Sequence, residues 1–199
     1  MNFLDLIFPR KCLECGENGI YICRKCLSHV EKSNKAFSIW KYQGVIRKAV
    51  IKLKYNFSFD ISSELSSHVL RELKSSSFRS TKYILLPIPL HKSRENWRGF
   101  NQASILGKAI STGMLWQFEE NLLTRKLASK QQARLKKEDR LRNISGKFAV
   151  KEDIDLEFYK NKRILLFDDV FTTGATIKEA EKTLREFGIG NISWLTLCG

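Results

Sequence analysis

Residues 164–176, ILLFDDVFTTGAT, constrain this chain more than any other stretch. Ile164, Leu165, Leu166 and Phe167 make an unbroken apolar run bounded by polar residues, the pattern of a strand covered on both faces in a parallel sheet. Asp168 and Asp169 then stand at its carboxyl end, where open parallel sheets hold their ligands. Thr172, Thr173, Gly174, Ala175 and Thr176 follow. Small hydroxylated residues around a glycine let successive backbone N–H groups turn inward on an anion, and the next helix adds its positive dipole end. That helix is expected because Ile177, Ala180, Leu184 and Phe187 recur at helical spacing, Glu181 can pair with Arg185, and Gly188 suits the stop.

Two carboxylates followed by a phosphate-sized cradle suit a sugar phosphate: the acids accept from vicinal hydroxyls while the loop holds the phosphate. Two other readings stay open. An apolar strand ending in acids also serves the Mg²⁺-holding strand of P-loop NTPases, although no G-x-x-x-x-G-K-[ST] occurs in the chain. A strand–turn–helix without a ligand is the second. The stretch resembles the phosphoribosyl-pyrophosphate signature of type I phosphoribosyltransferases. That resemblance implies that Asp168 and Asp169 meet the ribose hydroxyls, as catalytic residues, and that Thr172, Thr173, Gly174, Ala175 and Thr176 hold the 5′-phosphate.

The rest of the chain must supply what neutralises such a ligand. With 199 residues, 43% of them hydrophobic, one main domain with a real core is expected, with room for a small appendage. The formal charge of +14 attracts polyanions, either nucleic acid or phosphorylated small molecules, unless it serves solubility alone. No run of eighteen apolar residues exists, so no membrane span is expected. The start, MNFLDLIFPRKC, lacks the features of a secretory signal, and a cytoplasmic location is expected.

Cys12, Cys15, Cys23 and Cys26 form C-x₂-C-x₇-C-x₂-C, two close pairs whose thiolates can meet at one tetrahedral ion. Zn²⁺ suits such a closed four-sulfur site, which is structural because it leaves no position open to substrate. Two disulfides are the alternative, and a reducing compartment argues against them. His29 follows closely enough to replace a cysteine, and the lone Cys198 reads as a small buried residue of a last strand. The expected division is a four-cysteine zinc finger over 1–35, fastened to a main domain over 36–199.

Within the main domain, a short strand and an amphipathic helix are expected from Trp40 to Tyr55, with Val45, Ile46, Ala49, Val50 and Leu53 on one side. Residues 10–54 carry eleven basic residues against three acidic. Lys48, Lys52 and Lys54 therefore either join the finger in one positive surface or line a solvated face. A second helix is expected from an Asp60 cap through Leu73, with KSSSFRST (74–81) as a loop. Tyr83–Pro89 reads as a further strand, after which His91, Lys92, Arg94 and Arg98 place cations at the mouth of the sheet. Gly99 to Gln102 then lead into a helix carrying Phe100, Ala103, Leu106 and Ile110. Arginine forks suit pyrophosphate oxygens, although either arginine is equally able to pair a core carboxylate.

The segment 121–151 holds ten basic residues against two acidic and few apolar positions. It is expected to form a mobile basic flap over the ligand site, with Leu135 and Leu141 on one side of a helix, or a track for nucleic-acid phosphates. Asn191–Cys198 is the last strand, placed beside 164–167 by a right-handed crossover.

Together these features resemble the ComF family, competence-associated proteins with a phosphoribosyltransferase domain and an amino-terminal cysteine knuckle. Besides the four cysteines and ILLFDDVFTTGAT, the likeness rests on LKY at 53–55, on P-x-P-L…R-x-x-x-R-G-F-N-Q at 87–102, and on Gln132-x-x-Leu135…Arg140-x-x-Asn143. The resemblance implies an α/β fold: a type I phosphoribosyltransferase-like parallel sheet flanked by helices, with a small N-terminal four-cysteine zinc finger. It matches the family's residues to Arg94, Arg98, Gln102, Gln132, Arg140 and Asn143, places Arg94, Arg98, Gln102 and Arg140 on the pyrophosphate side, and implies Mg²⁺ accompanying phosphoribosyl pyrophosphate. It implies two roles. One is phosphoribosyl transfer to a nitrogen nucleophile. The other is handling of single-stranded DNA in natural transformation beside the competence machinery, with Trp97, Phe100 or Trp40 as stacking candidates.

Overall fold

The computed structural model describes residues 9–35, 37–55, 59–90, 92–126, 146–152 and 154–199. Five strands form one wholly parallel sheet in the order β1-β7-β6-β2-β3: β1 Ser38–Trp40, β2 Ile84–Pro87, β3 Gln117–Phe118, β6 Ile164–Val170 and β7 Ile192–Cys198. Strands β4 Leu123–Arg125 and β5 Phe148–Val150 pair separately as an antiparallel ribbon.

The central strands read as continuous apolar runs because both of their faces are covered, and the alternation of the pleat decides which cover each residue meets. Leu85, Leu165, Phe167 and Leu195 share one core with α2 Gly44–Tyr55, α3 Phe59–Lys74 and α5 Gln102–Met114. Ile84, Leu86, Ile164 and Leu166 share the other with α7 Ala175–Glu186 and the β4–β5 ribbon. Each fully buried leucine or isoleucine contributes roughly 1.5–3 kcal/mol relative to exposure. The two covers therefore hold β6 and β2 rigidly, with their carboxyl ends side by side.

The cysteine knuckle packs into the first of these cores, as Cys12, Ile22, Cys23 and Cys26 join the residues of α2 and α3. Tyr21 and Ile22 donate their N–H groups to the two carboxylate oxygens of Glu64, at 3.0 and 2.6 Å. A carboxylate accepting two backbone bonds fixes the orientation of the knuckle as well as its position. Short α1 Arg24–Ser28 is capped by Cys23 and carries Cys26, and short α6 Leu156–Lys160 precedes β6.

Three local expectations are corrected. Helix α3 begins at Phe59, so Asp60 lies in its first turn and does not cap it. Segment 74–81 is not all loop: α3 runs to Lys74, and Ser77–Ser80 make a 3-10 turn. After β2, Lys92, Arg94 and Arg98 lie on a helix, α4 Lys92–Arg98. Trp40 is 1% exposed in the core and is unavailable for stacking. The centre of the basic flap, with Leu135 and Leu141, lies outside the described residues. Its described base is core-bound, with Leu122, Leu123, Phe148 and Val150 buried. The crossover from β6 through α7 to a parallel β7 is as the sequence implies, and Cys198 is wholly buried.

Candidate functional site

Strand β6 extends through Val170, so Asp168 and Asp169 occupy its last turn of pleat and point in different directions. Asp168 is half-buried and Asp169 buried. The Asp169 N–H donates to Asp168 Oδ1 at 2.9 Å. Both acids line a cleft of about 530 Å³ at the carboxyl ends of β6 and β2, together with Lys54, Arg98, Gln102 and Thr172. Burial, with the neighbouring Asp169 charge adding to it, pushes the Asp168 carboxyl up to about 7.

Asp169 is not unpaired. Lys54 Nζ approaches its Oδ2 to 3.0 Å, an ion pair whose angle is not that of a hydrogen bond, since Oδ2 has no hydrogen-bond donor among the protein groups. Lys54 reaches the cleft because α2 ends there. The other two lysines of α2 serve the knuckle, with Lys48 pairing Glu14 at 3.1 Å and Lys52 lying over the Tyr21 ring at 5.5 Å. These three lysines therefore form neither a single open positive surface nor a simple solvated face.

The turn after β6 leads directly into α7. Gly174 caps α7 with φ +73° and offers no side-chain bond to the helix N-terminus. Among the described residues, the amides of Thr172, Thr173 and Gly174 meet no protein acceptor. Thr172 and Thr176 line the cleft. Thr173, Gly174 and Ala175 do not, and they shape the turn, with the Ala175 N–H donating to Thr173 Oγ1 at 3.3 Å.

Across the cleft, Arg98 donates to Gln102 Oε1 at 3.1 Å. Arg98 Nε and Gln102 Nε2 are buried without an acceptor. Leaving buried donors unmet costs about 1–3 kcal/mol each, so the pair is suited to an incoming oxyanion. Asn101 holds the turn in place: its Oδ1 accepts from the Ala103 N–H, and its Nδ2 donates to the Ile88 carbonyl. Arg125, from β4, also lines the cleft and donates to the Pro89 carbonyl at 3.4 Å. The Arg94 side chain, Arg140, Gln132 and Asn143 lie outside the described residues. Sequence reasoning missed Lys54, Arg125 and Tyr42 as cleft residues. For Lys54 the LKY stretch at the end of an amphipathic helix was the available signal.

The four knuckle sulfurs, those of Cys12, Cys15, Cys23 and Cys26, lie within 4.8 Å of one another. The Cys15 and Cys23 sulfurs are 3.6 Å apart, close to the roughly 3.8 Å edge that tetrahedral metal–sulfur bonds of about 2.3 Å impose. All five cysteines are free thiols. The donor set fits a metal ion and is compatible with structural zinc. Gly16 and Gly19, at φ +80° and +90°, make the tight turns between the pairs. His29 is not part of the cluster; its Nδ1 bonds to the Lys25 carbonyl.

No family model matches the chain. It is similar to Competence protein F of Haemophilus influenzae, at 27% identity over 91% of this chain and 81% of that protein. It is similar to DNA utilization protein YhgH of Escherichia coli strain K12, at 26% over 94% of this chain and 83% of that protein. It is also similar to Competence protein ComFC of Bacillus subtilis, at 29% over 80% of this chain and 62% of that protein. These likenesses run over most of the chain and agree with the ComF resemblance of its motifs. Among solved structures, it is similar to the glutamine phosphoribosylpyrophosphate amidotransferase from B. subtilis, with TM-score 0.48 and 12% identity over 73% of this chain and 30% of that one. A hypoxanthine phosphoribosyltransferase from Staphylococcus aureus matches with TM-score 0.38 and 13% identity over 68% of this chain and 61% of that one. The chain thus spans under a third of the amidotransferase. Among the described residues, no helix is long and apolar enough to cross a membrane.

Proposed function

We propose that the cleft binds the 5-phosphoribosyl group of phosphoribosyl pyrophosphate, and that the protein acts as a phosphoribosyltransferase-like protein in DNA uptake, as the names of its relatives suggest. One observation carries the reading: the acid pair of β6 lines the same cleft as Thr172 and Thr176, the two ends of a turn whose Thr172, Thr173 and Gly174 amides meet no protein acceptor among the described residues. In this reading Asp168 and Asp169 accept from the ribose hydroxyls. The turn from Thr172 to Thr176 holds the 5′-phosphate, and Arg98, Gln102 and Arg125 take the pyrophosphate. Arg94 and Arg140 are proposed for the same side on the resemblance alone. Mg²⁺ accompanying the ligand would supply further neutralisation of the pyrophosphate.

A nitrogen nucleophile forms its bond to the ribose anomeric carbon as the bond from that carbon to the pyrophosphate oxygen breaks. The pyrophosphate leaves with the electron pair, and the nucleophile loses a proton. Orientation and oxyanion stabilisation carry such a reaction, and no nucleophilic side chain is required. The knuckle is proposed to hold Zn²⁺ as a closed structural site in the unit 1–35, fastened to the domain 36–199.

Titration calorimetry with phosphoribosyl pyrophosphate and Mg²⁺ tests the sugar site. Wild type is expected to bind and Asp168→Asn/Asp169→Asn to lose binding, and equal affinity in the two would remove the assignment. A second reading, single-stranded-DNA binding with the sugar-phosphate site used for regulation, is favoured by the +14 charge. It predicts affinity that falls steeply between low and moderate salt. A flat response would sink it.

A further inference from the structure

Helix α2 touches the knuckle on one side and the cleft on another, and its lysines divide between them. Lys48 and Lys52 are one turn apart and share a face, whereas Lys54, two residues beyond Lys52, leaves the helix about 200° round from it. From the first face Lys48 Nζ meets Glu14 Oε2 at 3.1 Å, and the Lys52 ammonium lies over the Tyr21 ring at 5.5 Å. Glu14 stands between Cys12 and Cys15, and Tyr21 two residues before Cys23. From the other face Lys54 Nζ meets Asp169 Oδ2 at 3.0 Å. Between the two, Val45, Ile46, Ala49, Val50 and Leu53 share a core with Ile22, Cys23 and Cys26, and α1 packs on the same helix.

The Lys48 pair is exposed and the Lys52 contact half-buried, and contacts of these kinds add little to stability. A knuckle that only stapled the fold would need its core packing and the Glu64 carboxylate, not two lysines aimed at it from the helix that enters the cleft. What the two contacts do set is the roll of α2. A lysine ammonium stands up to about 8 Å from a helix axis, so a roll of about 10° carries it about 1.4 Å, enough to part Lys54 from Asp169. Asp169 Oδ2 is buried and accepts no hydrogen bond among the described residues, so its direction is left to the Lys54 charge. We propose that Lys54 is a positioning residue for the acid pair and that the knuckle positions it: the closed knuckle fixes Glu14 and Tyr21, these fix the roll of α2, and α2 sets Lys54 against Asp169. The consequence for the ligand rests on the sugar-site reading, whereas the link from knuckle to acid pair does not. A displacement of about 1 Å that starts far from the chemistry can cost about 100-fold, so a small roll is enough to be felt.

The test uses the full chain, its zinc content checked by elemental analysis, as wild type, Glu14→Gln/Tyr21→Leu, Lys54→Met and all three substitutions combined. Should Glu14→Gln/Tyr21→Leu lose zinc or fail to fold, Lys48→Gln/Lys52→Gln cuts the same two contacts from the helix side. Calorimetry with phosphoribosyl pyrophosphate and Mg²⁺ reads the ligand, and carbon-13 titration of the Asp168 carboxyl reads the acid pair without one. Glu14→Gln/Tyr21→Leu is expected to keep its zinc and to bind the ligand about fivefold or more weakly. It is also expected to push the Asp168 carboxyl above its value of about 7, because the Lys54 charge that lowers it has moved away. Lys54→Met is expected to do both, and the combined variant to match Lys54→Met within about twofold, since the changes act through one contact. Two results overturn the proposal: an Asp168 titration in Glu14→Gln/Tyr21→Leu equal to that of wild type, or losses of affinity that multiply in the combined variant. If the wild type binds no phosphoribosyl pyrophosphate, the sugar-site reading fails, and the Asp168 titration alone decides the link.

Discussion

Lys54 Nζ stands 3.0 Å from Asp169 Oδ2, joining the last turn of α2 to the end of β6 inside the cleft. Their side chains are 21% and 11% exposed, so the pair is neither a solvated surface bridge nor a dry one. Removing either partner leaves a poorly hydrated charge, which costs more than the pair itself contributes. Lys54→Met is therefore expected to destabilise the protein by about 1–3 kcal/mol. Lys54→Met with Asp169→Asn is expected to recover most of that loss. Urea denaturation of the two single variants and the double variant checks this, and strictly additive losses would contradict it.

Asp168 makes apo stability depend on pH in a definite direction. Its folded-state carboxyl is raised to about 7 by burial and by Asp169, so between the ordinary carboxylate range and pH 7 the folded state holds a proton that the unfolded chain has lost. Stability from this group is then highest at acid pH, falls as pH rises towards 7, and is flat above it. Asp168→Asn cannot ionise and its Oδ1 can still accept from the Asp169 N–H. It is expected to be more stable than wild type at pH 8, with the gap closing near pH 4. Denaturation midpoints at the two pH values measure the difference.

Gly174 tests the phosphate turn. It holds φ +73°, and a Cβ there would come within 2.7 Å of the Phe171 ring. Gly174→Ala is expected to cost about 1–2 kcal/mol for the left-handed backbone alone and to weaken phosphoribosyl pyrophosphate binding, because relieving the clash shifts the turn. Calorimetric affinity unchanged from wild type would show that the turn does not hold the phosphate.

Metal removal is expected to reach the main domain, since the knuckle shares its core with α2 and α3. Protein purified without chelator is expected to carry one zinc per chain by elemental analysis. Cys15→Ser, or treatment with a strong chelator, is expected to lower the thermal midpoint by several degrees. Glu64→Gln, which keeps the four sulfurs but weakens the carboxylate that receives Tyr21 and Ile22, is expected to retain zinc with a smaller loss. Protein free of zinc and equally stable after chelation would refute the assignment.

Much of this molecule was legible in the chain wherever neighbouring residues decide the outcome together. The apolar run of β6, the acids that end it, the turn around Gly174 and the C-x₂-C pairs are local patterns, in which backbone geometry and side-chain type act over a few positions. The same holds for the i,i+4 pair of Glu181 and Arg185, whose groups meet at 2.7 Å, and for the buried stripe of α7. Helix boundaries were less legible. Asp60 looks like a cap, yet α3 starts one residue earlier because tertiary packing of its apolar face outweighs a capping preference.

What only the tertiary structure decided are the meetings between residues far apart in sequence. Nothing near Lys54 says that it pairs with Asp169, that Arg98 spends one nitrogen on Gln102 and leaves another unmet, or that Tyr55 and Trp97 meet edge to face. Those contacts exist because the parallel sheet sets β6 beside β2 and packs α2 against one face, bringing their ends to a common edge. Local sequence carries the type of each group, whereas strand order and helix packing carry its neighbours, and the charge, burial and hydrogen bonding of the cleft depend on the neighbours.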